Sequence, residues 1–167
     1  MATVAPVGKN LFDRVVSDRG LGIAAAIMLA VVAVAVMRGH ADWSLISWPV
    51  WAHLGLIAAA LALTPVMLIR PKGNRPHRVL GWVWAIAMIL TALSSLLIRD
   101  ANHGRFSVIH ILSVWVLIRV PLLVWRARSH NVAGHRRGVR GIVFGALLIA
   151  GFFTFPFDRL LGHWLFA

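Results

Sequence analysis

Five long apolar runs dominate the sequence and decide what it can fold into. A helix needs about 20 apolar residues to cross a hydrocarbon core of about 30 Å. Hydrophobic residues make up 60% of the chain and charged residues 13%, against roughly half and a quarter in soluble domains. We therefore expect an all-α integral membrane protein with five transmembrane helices in an up-down bundle. The predicted spans are residues 21–37, 48–69, 79–98, 106–125 and 139–157.

The basic residues between the runs predict the orientation. Twelve of the 17 Lys and Arg residues precede the first run or follow the second and fourth, and four lie on the other side. The positive-inside rule places the twelve in the cytoplasm. The sequence thus predicts a multi-pass membrane protein with a cytoplasmic N-terminus and a C-terminus on the outer side. Tryptophan is enriched at membrane–water interfaces. Four tryptophans lie where the outer membrane boundary is predicted, namely Trp43, Trp48, Trp51 and Trp164.

Charge and composition also restrict the partners and the chemistry. The net charge of +12 is spread between apolar runs, so anionic lipid headgroups at the cytoplasmic face are the expected partners and nucleic acid is not. The absence of cysteine excludes disulfides and thiolate metal sites. With no glutamate and five aspartates, paired-carboxylate catalysis is disfavoured.

The chain divides into three predicted parts. Residues 1–20 form a cytoplasmic tail, in which residues 10–19 are typical of an amphipathic helix lying on the membrane. Residues 21–37 are the first transmembrane helix. Residues 48–160 form a four-helix unit made of two similar hairpins, 48–98 and 106–157.

Histidine and proline landmarks suggest that the two hairpins are a parallel repeat. Each hairpin carries a histidine early in its first helix, a proline eleven or twelve residues later, and a His-Arg pair 24 or 25 residues later. Hairpins of equal orientation would be related by an axis along the membrane normal. The landmarks are His53, Pro65 and His77-Arg78 in the first hairpin, and His110, Pro121 and His135-Arg136 in the second.

Four histidines are the main candidates for function, because an ionisable residue in a span is costly and is usually functional. The topology places His53 and His110 near the outer face, and His77 and His135 near the inner face. Two neutral imidazoles facing each other across a bundle core can ligate a six-coordinate b-type haem. The sequence therefore predicts one or two haem b groups and a role in electron transfer.

Arginines near these histidines are candidate partners of the haem propionates. Arg78 and Arg136 directly follow the two inner histidines, and Arg119 lies inside the fourth predicted span. A guanidinium can bind a carboxylate through two parallel hydrogen bonds. Arg119 could instead extend its charged end towards the interface.

Four histidines on four successive helices resemble the transmembrane di-haem cytochromes that carry electrons from ascorbate across a membrane. The resemblance covers spans two to five and implies two haems, one ligated by His53 with His110 and one by His77 with His135. The chain departs from that pattern in one respect. His77 and His135 lie at the start of their spans rather than within them.

A second resemblance is to a family of small bacterial multi-pass membrane proteins known only as a domain of unknown function. It spans about residues 48–160 and implies a multi-pass protein of the bacterial inner membrane, with its C-terminus in the periplasm and no established activity. The matching motifs are His53, His77-Arg78-Val79-Leu80-Gly81, Ser94-Ser95, Phe106-Ser107-Val108-Ile109-His110, Ala127-Arg128 and His135-Arg136.

Other interpretations of the histidines remain open. His53 and His110 could form interhelical hydrogen bonds with Ser94 or Ser113 and bind nothing. The inner histidines could contact lipid phosphates or helix N-termini. A copper or zinc site could be formed by the histidine-rich outer side, which adds His40, His103 and His163.

These interpretations correspond to different functions. A non-catalytic accessory subunit of a larger respiratory or photosynthetic complex is the alternative to the haem protein, and other subunits would then be its partners. A transporter fits less well, because few polar residues lie at mid-membrane depth. A hydrolase fits less well still, since no acidic residue lies within the spans that carry Ser94 and Ser113 to orient a histidine base. Whether the chain is an enzyme is left open.

Overall fold

The computed structural model describes residues 16–98, 108–156 and 159–167, and the described residues are helical without any strand. The proposed interfacial helix at residues 10–19 lies mostly outside the described residues, as do His103 and Phe106. Six helices organise the described part of the chain. They are α1 Asp18–Arg38, α2 Trp48–Ile69, α3 Arg75–Leu97, α4 Val108–Arg128, α5 Val132–Ile142 and α6 Leu160–Phe166.

Side-chain caps explain where three of these helices begin. Ser17 accepts a hydrogen bond from the Gly20 amide at 3.0 Å at the start of α1. Asn74 and Asn131 accept equivalent bonds at the starts of α3 and α5. Serine and asparagine are preferred at this position, because their side chains satisfy amides that have no partner within the helix.

Four helical stretches are long and apolar enough to cross a membrane, judged by length and composition among the described residues. They are Asp18–Leu45, in which α1 continues into a 3-10 helix, together with Trp48–Ile69, Arg75–Leu97 and His110–Arg128. The all-α fold is therefore confirmed for the described residues, and the four apolar helices support a membrane protein. The prediction of five transmembrane helices is wrong for the described residues.

The fifth predicted span, 139–157, is not one long helix. After α5 the chain passes through a π-helical stretch, Val143–Ile149, and one last α-helical turn, Ala150–Phe152. Arginines occupy positions 136, 137 and 140, so the apolar helical part covers only residues 141–152. At 1.5 Å per residue this is roughly 18 Å, short of the hydrocarbon thickness. Three glycines and a proline between residues 141 and 156 weaken helix formation there.

The helices pack in chain order into a bundle with a main hydrophobic core, and a second, smaller cluster lies between α1 and α6. Each of α2, α3 and α4 packs against the next helix, and α1 packs against α2, the π-helical stretch and α6. The core combines large buried side chains from several helices with small alanines that let the helices approach. Its largest members are Leu21, Leu61, Trp84, Met88, Val120, Ile142 and Leu147.

The C-terminal helix α6 lies at the end of the bundle where α1 finishes. Arg38 Nη2 donates a hydrogen bond to the Ala167 backbone oxygen at 3.2 Å. Trp164 Nε1 donates to Asp42 Oδ2 at 2.9 Å, and its ring lies beside that of Trp51. The chain therefore ends at the opposite end of the bundle from Asp18, where α1 begins.

Replacing Gly39 by alanine should detach α6 from α1. A Cβ atom at position 39 would overlap the Trp164 ring, which is only 3% exposed. Overpacking of this kind costs about 1–3 kcal/mol, and we expect a lower thermal midpoint by tryptophan fluorescence in detergent. Gly55→Ala is the matched control, because its Cβ would meet nothing within 4 Å. Equal midpoints for the two variants would contradict the packing of α6.

Candidate functional site

The end of the bundle that the basic residues predict to be the outer one contains a cluster of buried and half-buried polar side chains from three helices. We call it the outer polar cluster. His110 is 7% exposed, Ser113 5% and Thr91 7%, which is unusual for polar groups amid apolar packing. The cluster comprises His53 on α2, Thr91, Ser94 and Ser95 on α3, and His110 and Ser113 on α4.

Hydrogen bonding determines which ring nitrogen of His53 carries the proton. His53 Nδ1 lies 3.0 Å from Ser94 Oγ. Ser94 Oγ donates its one hydrogen to the Thr91 carbonyl oxygen at 2.9 Å, so it accepts from His53. Nδ1 is therefore the N–H donor, and the lone pair of neutral His53 lies on Nε2. Ser94 is the partner that the hydrogen-bonding interpretation of His53 predicted.

A second hydrogen bond joins α3 to α4. Ser95 Oγ donates to the Ala92 carbonyl oxygen at 2.8 Å and is also hydrogen-bonded to Ser113 Oγ on α4. Ser113 lies three residues after His110, on the same face of α4. The cluster thus connects α2 to α3 and α3 to α4 through polar contacts.

At the inner end, hydrogen bonding fixes the tautomer of His135 as well. His135 Nδ1 lies 3.1 Å from the Leu123 carbonyl oxygen. A carbonyl oxygen only accepts hydrogen bonds, so Nδ1 carries the proton and the lone pair of neutral His135 lies on Nε2. His77 lies in the first turn of α3, at the same end of the bundle as His135. The two inner histidines therefore share one end of the bundle.

A packed layer separates the two histidine levels. Leu123, which binds His135, lies thirteen residues after His110 on α4, roughly 20 Å along the helix axis. Between these levels Trp84 Nε1 donates to Thr64 Oγ1 at 3.0 Å, and Thr64 donates to the Ala60 carbonyl oxygen. The outer and inner histidines therefore belong to two separate sites.

Asp18 organises the arginines and a lysine at the inner end. Its carboxylate lies 2.8 Å from Lys72 Nζ, from Arg136 Nη2 and from Arg140 Nε. We call these four side chains the Asp18 cluster. It ties the start of α1 to the α2–α3 loop and to α5. Sequence analysis assigned Arg136 to a haem propionate and gave Asp18 no role.

The other two candidate arginines differ from Arg136. Arg78 is exposed near the start of α3. Arg119 is partly buried, and its guanidinium carbon lies 5.7 Å from the centre of the Trp115 ring four residues earlier. This cation–π contact is within the usual range of about 6 Å.

Few potential metal donors come together in the described part of the chain. Among the described residues, no three His, Cys, Asp or Glu side chains come together. A copper or zinc site built on His40 and His163 is therefore not formed by them, and His103 lies outside the described residues. A haem with two axial histidines needs only one pair at each level.

Space at the inner level is limited. A pocket of about 130 Å³ adjoins His77 and is also lined by Met67, Arg70 and Asn74. Ligand sites commonly measure about 300–1,000 Å³, so a macrocycle enters here only if the pocket walls move. No protein-family model, curated protein or solved structure matches the chain.

Proposed function

We propose that this chain is a b-type haem protein of the bacterial inner membrane that takes part in electron transfer. One observation carries the proposal. His53 and His135, one from each level, both use Nδ1 as a hydrogen-bond donor. Both therefore leave the Nε2 lone pair for iron. Histidines that bind metals typically donate their other ring N–H to a carbonyl or a polar side chain, which fixes the tautomer and orients the ring.

Each level would hold one haem b. His53 and His110 would be the axial ligands at the outer level, and His77 and His135 those at the inner level. A haem with two axial histidines supplies reversible one-electron transfer. The fit of these residues to haem rests on their donor chemistry and not on pocket size. At the inner level, the pocket beside His77 must enlarge before a haem can enter.

The surrounding side chains have defined roles in this proposal. Ser94 and the Leu123 carbonyl orient the rings of His53 and His135. The layer around Trp84 and Met88, both buried, keeps water out between the levels. Arg78 is exposed beside His77 and would bind an inner propionate, whereas Arg136 would share its remaining N–H groups between a propionate and Asp18.

We also propose the orientation that the basic residues predict. The end of the bundle that contains the Asp18 cluster would face the cytoplasm and anionic lipid headgroups. Four helices would span the membrane. The chain would then return through α5 and the π-helical stretch to the end of the bundle where α6 lies, which would place the C-terminus in the periplasm.

The reduced-minus-oxidised absorption spectrum of protein purified from haem-supplied cells tests this function. We expect a Soret band that shifts on reduction and a sharp α band in the reduced form, as is usual for low-spin haem with two histidine ligands. A preparation that stays colourless despite haem supply and haem reconstitution would contradict the proposal.

A second candidate function is supported by a different observation. The outer polar cluster closes hydrogen bonds between His53, Ser94, Ser95 and Ser113 without any cofactor. This suits a non-catalytic accessory subunit of a larger membrane complex, in which the histidines only connect helices. That function predicts a colourless chain that co-purifies with a large complex, and the same spectrum separates it from the haem protein.

A further inference from the structure

Arg119 is a cation in the middle of a membrane-spanning helix. It lies nine residues after His110 and nine before Arg128, roughly 13 Å from each along α4. The ion pairs among the described residues all involve Asp18. The Arg119 guanidinium instead lies over the Trp115 ring. A charge at this depth is costly unless it is paired, which makes it a candidate for function.

Arg119 lies on α4 beside the helical path that begins with α5, where that path carries two glycines four residues apart. A Cβ at Gly145 would lie 3.8 Å from the Trp115 ring, and a Cβ at Gly141 would meet nothing within 4 Å. The helices α4 and α5 run in opposite directions. Towards the inner end of the bundle, Arg119 therefore lies one turn beyond Trp115 on α4, and Gly141 lies one turn before Gly145 in chain order on the neighbouring path. Arg119 and the open space over Gly141 therefore share a level. We call Trp115, Arg119, Gly141 and Gly145 the Arg119 groove.

From this arrangement we infer that the Arg119 groove binds a transmembrane helix of another protein that carries an Asp or Glu near its midpoint. Two glycines four residues apart allow the backbones of two helices to approach closely. A carboxylate on the visiting helix would fill the space over Gly141 and pair with the Arg119 guanidinium through two hydrogen bonds. The neighbouring apolar surface of α4, with Ile111 and Ile118 exposed, extends the contact along the helix.

Charge complementarity excludes a second copy of this chain as the occupant. The chain has no glutamate, and its five aspartates are at positions 13, 18, 42, 100 and 158. Positions 18 and 42 lie at opposite ends of the bundle, and the other three fall outside the apolar parts of the spans. A second copy has no carboxylate at the depth of Arg119, so the partner is a different protein. This inference does not depend on haem binding.

A designed helix in liposomes tests the inference with a defined probe. The probe is a Leu/Ala peptide of about 20 residues with lysines at both ends and one central Glu, and its control has Gln in place of Glu. Energy transfer from labelled wild-type protein to each labelled peptide is measured in phosphatidylcholine liposomes, which carry no net headgroup charge. We expect the Glu peptide to bind about tenfold more tightly than the Gln peptide, as model-peptide studies of polar helix contacts suggest.

Variants then locate the contact. Arg119→Gln should remove the preference for Glu, whereas Arg119→Lys and the helix-end control Arg128→Gln should keep most of it. Gly141→Leu retains the charge but fills the space, and it should weaken Glu-peptide binding. Circular dichroism checks that each variant is folded.

Three results would overturn the inference. The first is equal binding of the Glu and Gln peptides to the wild type. The second is a preference for the Glu peptide that survives Arg119→Gln, or binding of the Glu peptide that is unaffected by Gly141→Leu. The third is Arg119-dependent energy transfer between two labelled copies of the chain itself.

Discussion

Asp18→Asn should lower the stability of the bundle by about 3 kcal/mol. The substitution keeps the size of the side chain but leaves Lys72, Arg136 and Arg140 together without a counterion. Removing one partner of a buried ion pair costs roughly 3–5 kcal/mol. The lower end applies here, because Asp18 is 9% exposed but its partners are 31–56% exposed and are partly screened by water.

Thermal unfolding in detergent measures this effect, and Asp42→Asn is the matched control. Asp42 lies at the other end of the bundle and accepts one hydrogen bond from Trp164. The asparagine amide oxygen can still accept this bond, so the control should cost no more than about 1 kcal/mol. The difference between wild type and Asp18→Asn should shrink at high salt, which screens the partly exposed charges. An Asp18→Asn protein no less stable than Asp42→Asn would show that the Asp18 cluster does not hold α1 in place.

His53→Ala should remove the outer haem and about half of the Soret absorbance per chain, given one haem per level. The alanine removes the Nε2 donor that the Ser94 hydrogen bond leaves available. His135→Ala should remove the inner haem in the same way, and the double variant should be colourless. His163→Ala is the control, because His163 is exposed on α6 and should leave the spectrum unchanged.

Ser94→Ala separates orientation of the ring from coordination of iron. The variant should keep the outer haem but shift its reduction potential, because ring hydrogen bonds affect the basicity of a histidine ligand. A His53→Ala spectrum identical to that of the wild type would assign His53 to helix packing alone.

Local sequence patterns were sufficient to predict the long helices. The second predicted span, 48–69, has the same limits as α2, since hydropathy alone defines it. The third was predicted to start at residue 79, whereas α3 begins at Arg75. The earlier start reflects the Asn74 cap and Pro76 in the first turn, where proline is tolerated. A run of apolar residues marks only the part of a helix that lies within lipid, so it does not include the polar first turn.

Features that depend on distant contacts could not be predicted. Asp18 binds three residues that lie 54, 118 and 122 positions away from it in the sequence. The local sequence shows only an excess of cations that needs a counterion, and it does not show which residues meet. Trp164 was interpreted as an outer interfacial anchor, yet it is buried against α1 and bound to Asp42. The break in the fifth span arises from weak helix formers whose effect hydropathy does not report.

The candidate site was predicted in part. The sequence placed the four histidines at two levels and named Ser94 as a potential partner of His53. It could not assign the tautomers, which depend on the Leu123 carbonyl and on the bond from Ser94 to Thr91. These hydrogen bonds leave the Nε2 lone pairs of His53 and His135 available. The haem hypothesis therefore names two particular ligand atoms.

The most direct test of the central claim is the haem content of the purified wild-type chain, measured as the pyridine haemochrome and divided by protein concentration. Two pairs of axial histidines predict about two haem b groups per chain. A ratio indistinguishable from zero after expression with ample haem and reconstitution would contradict the claim that these histidines bind haem.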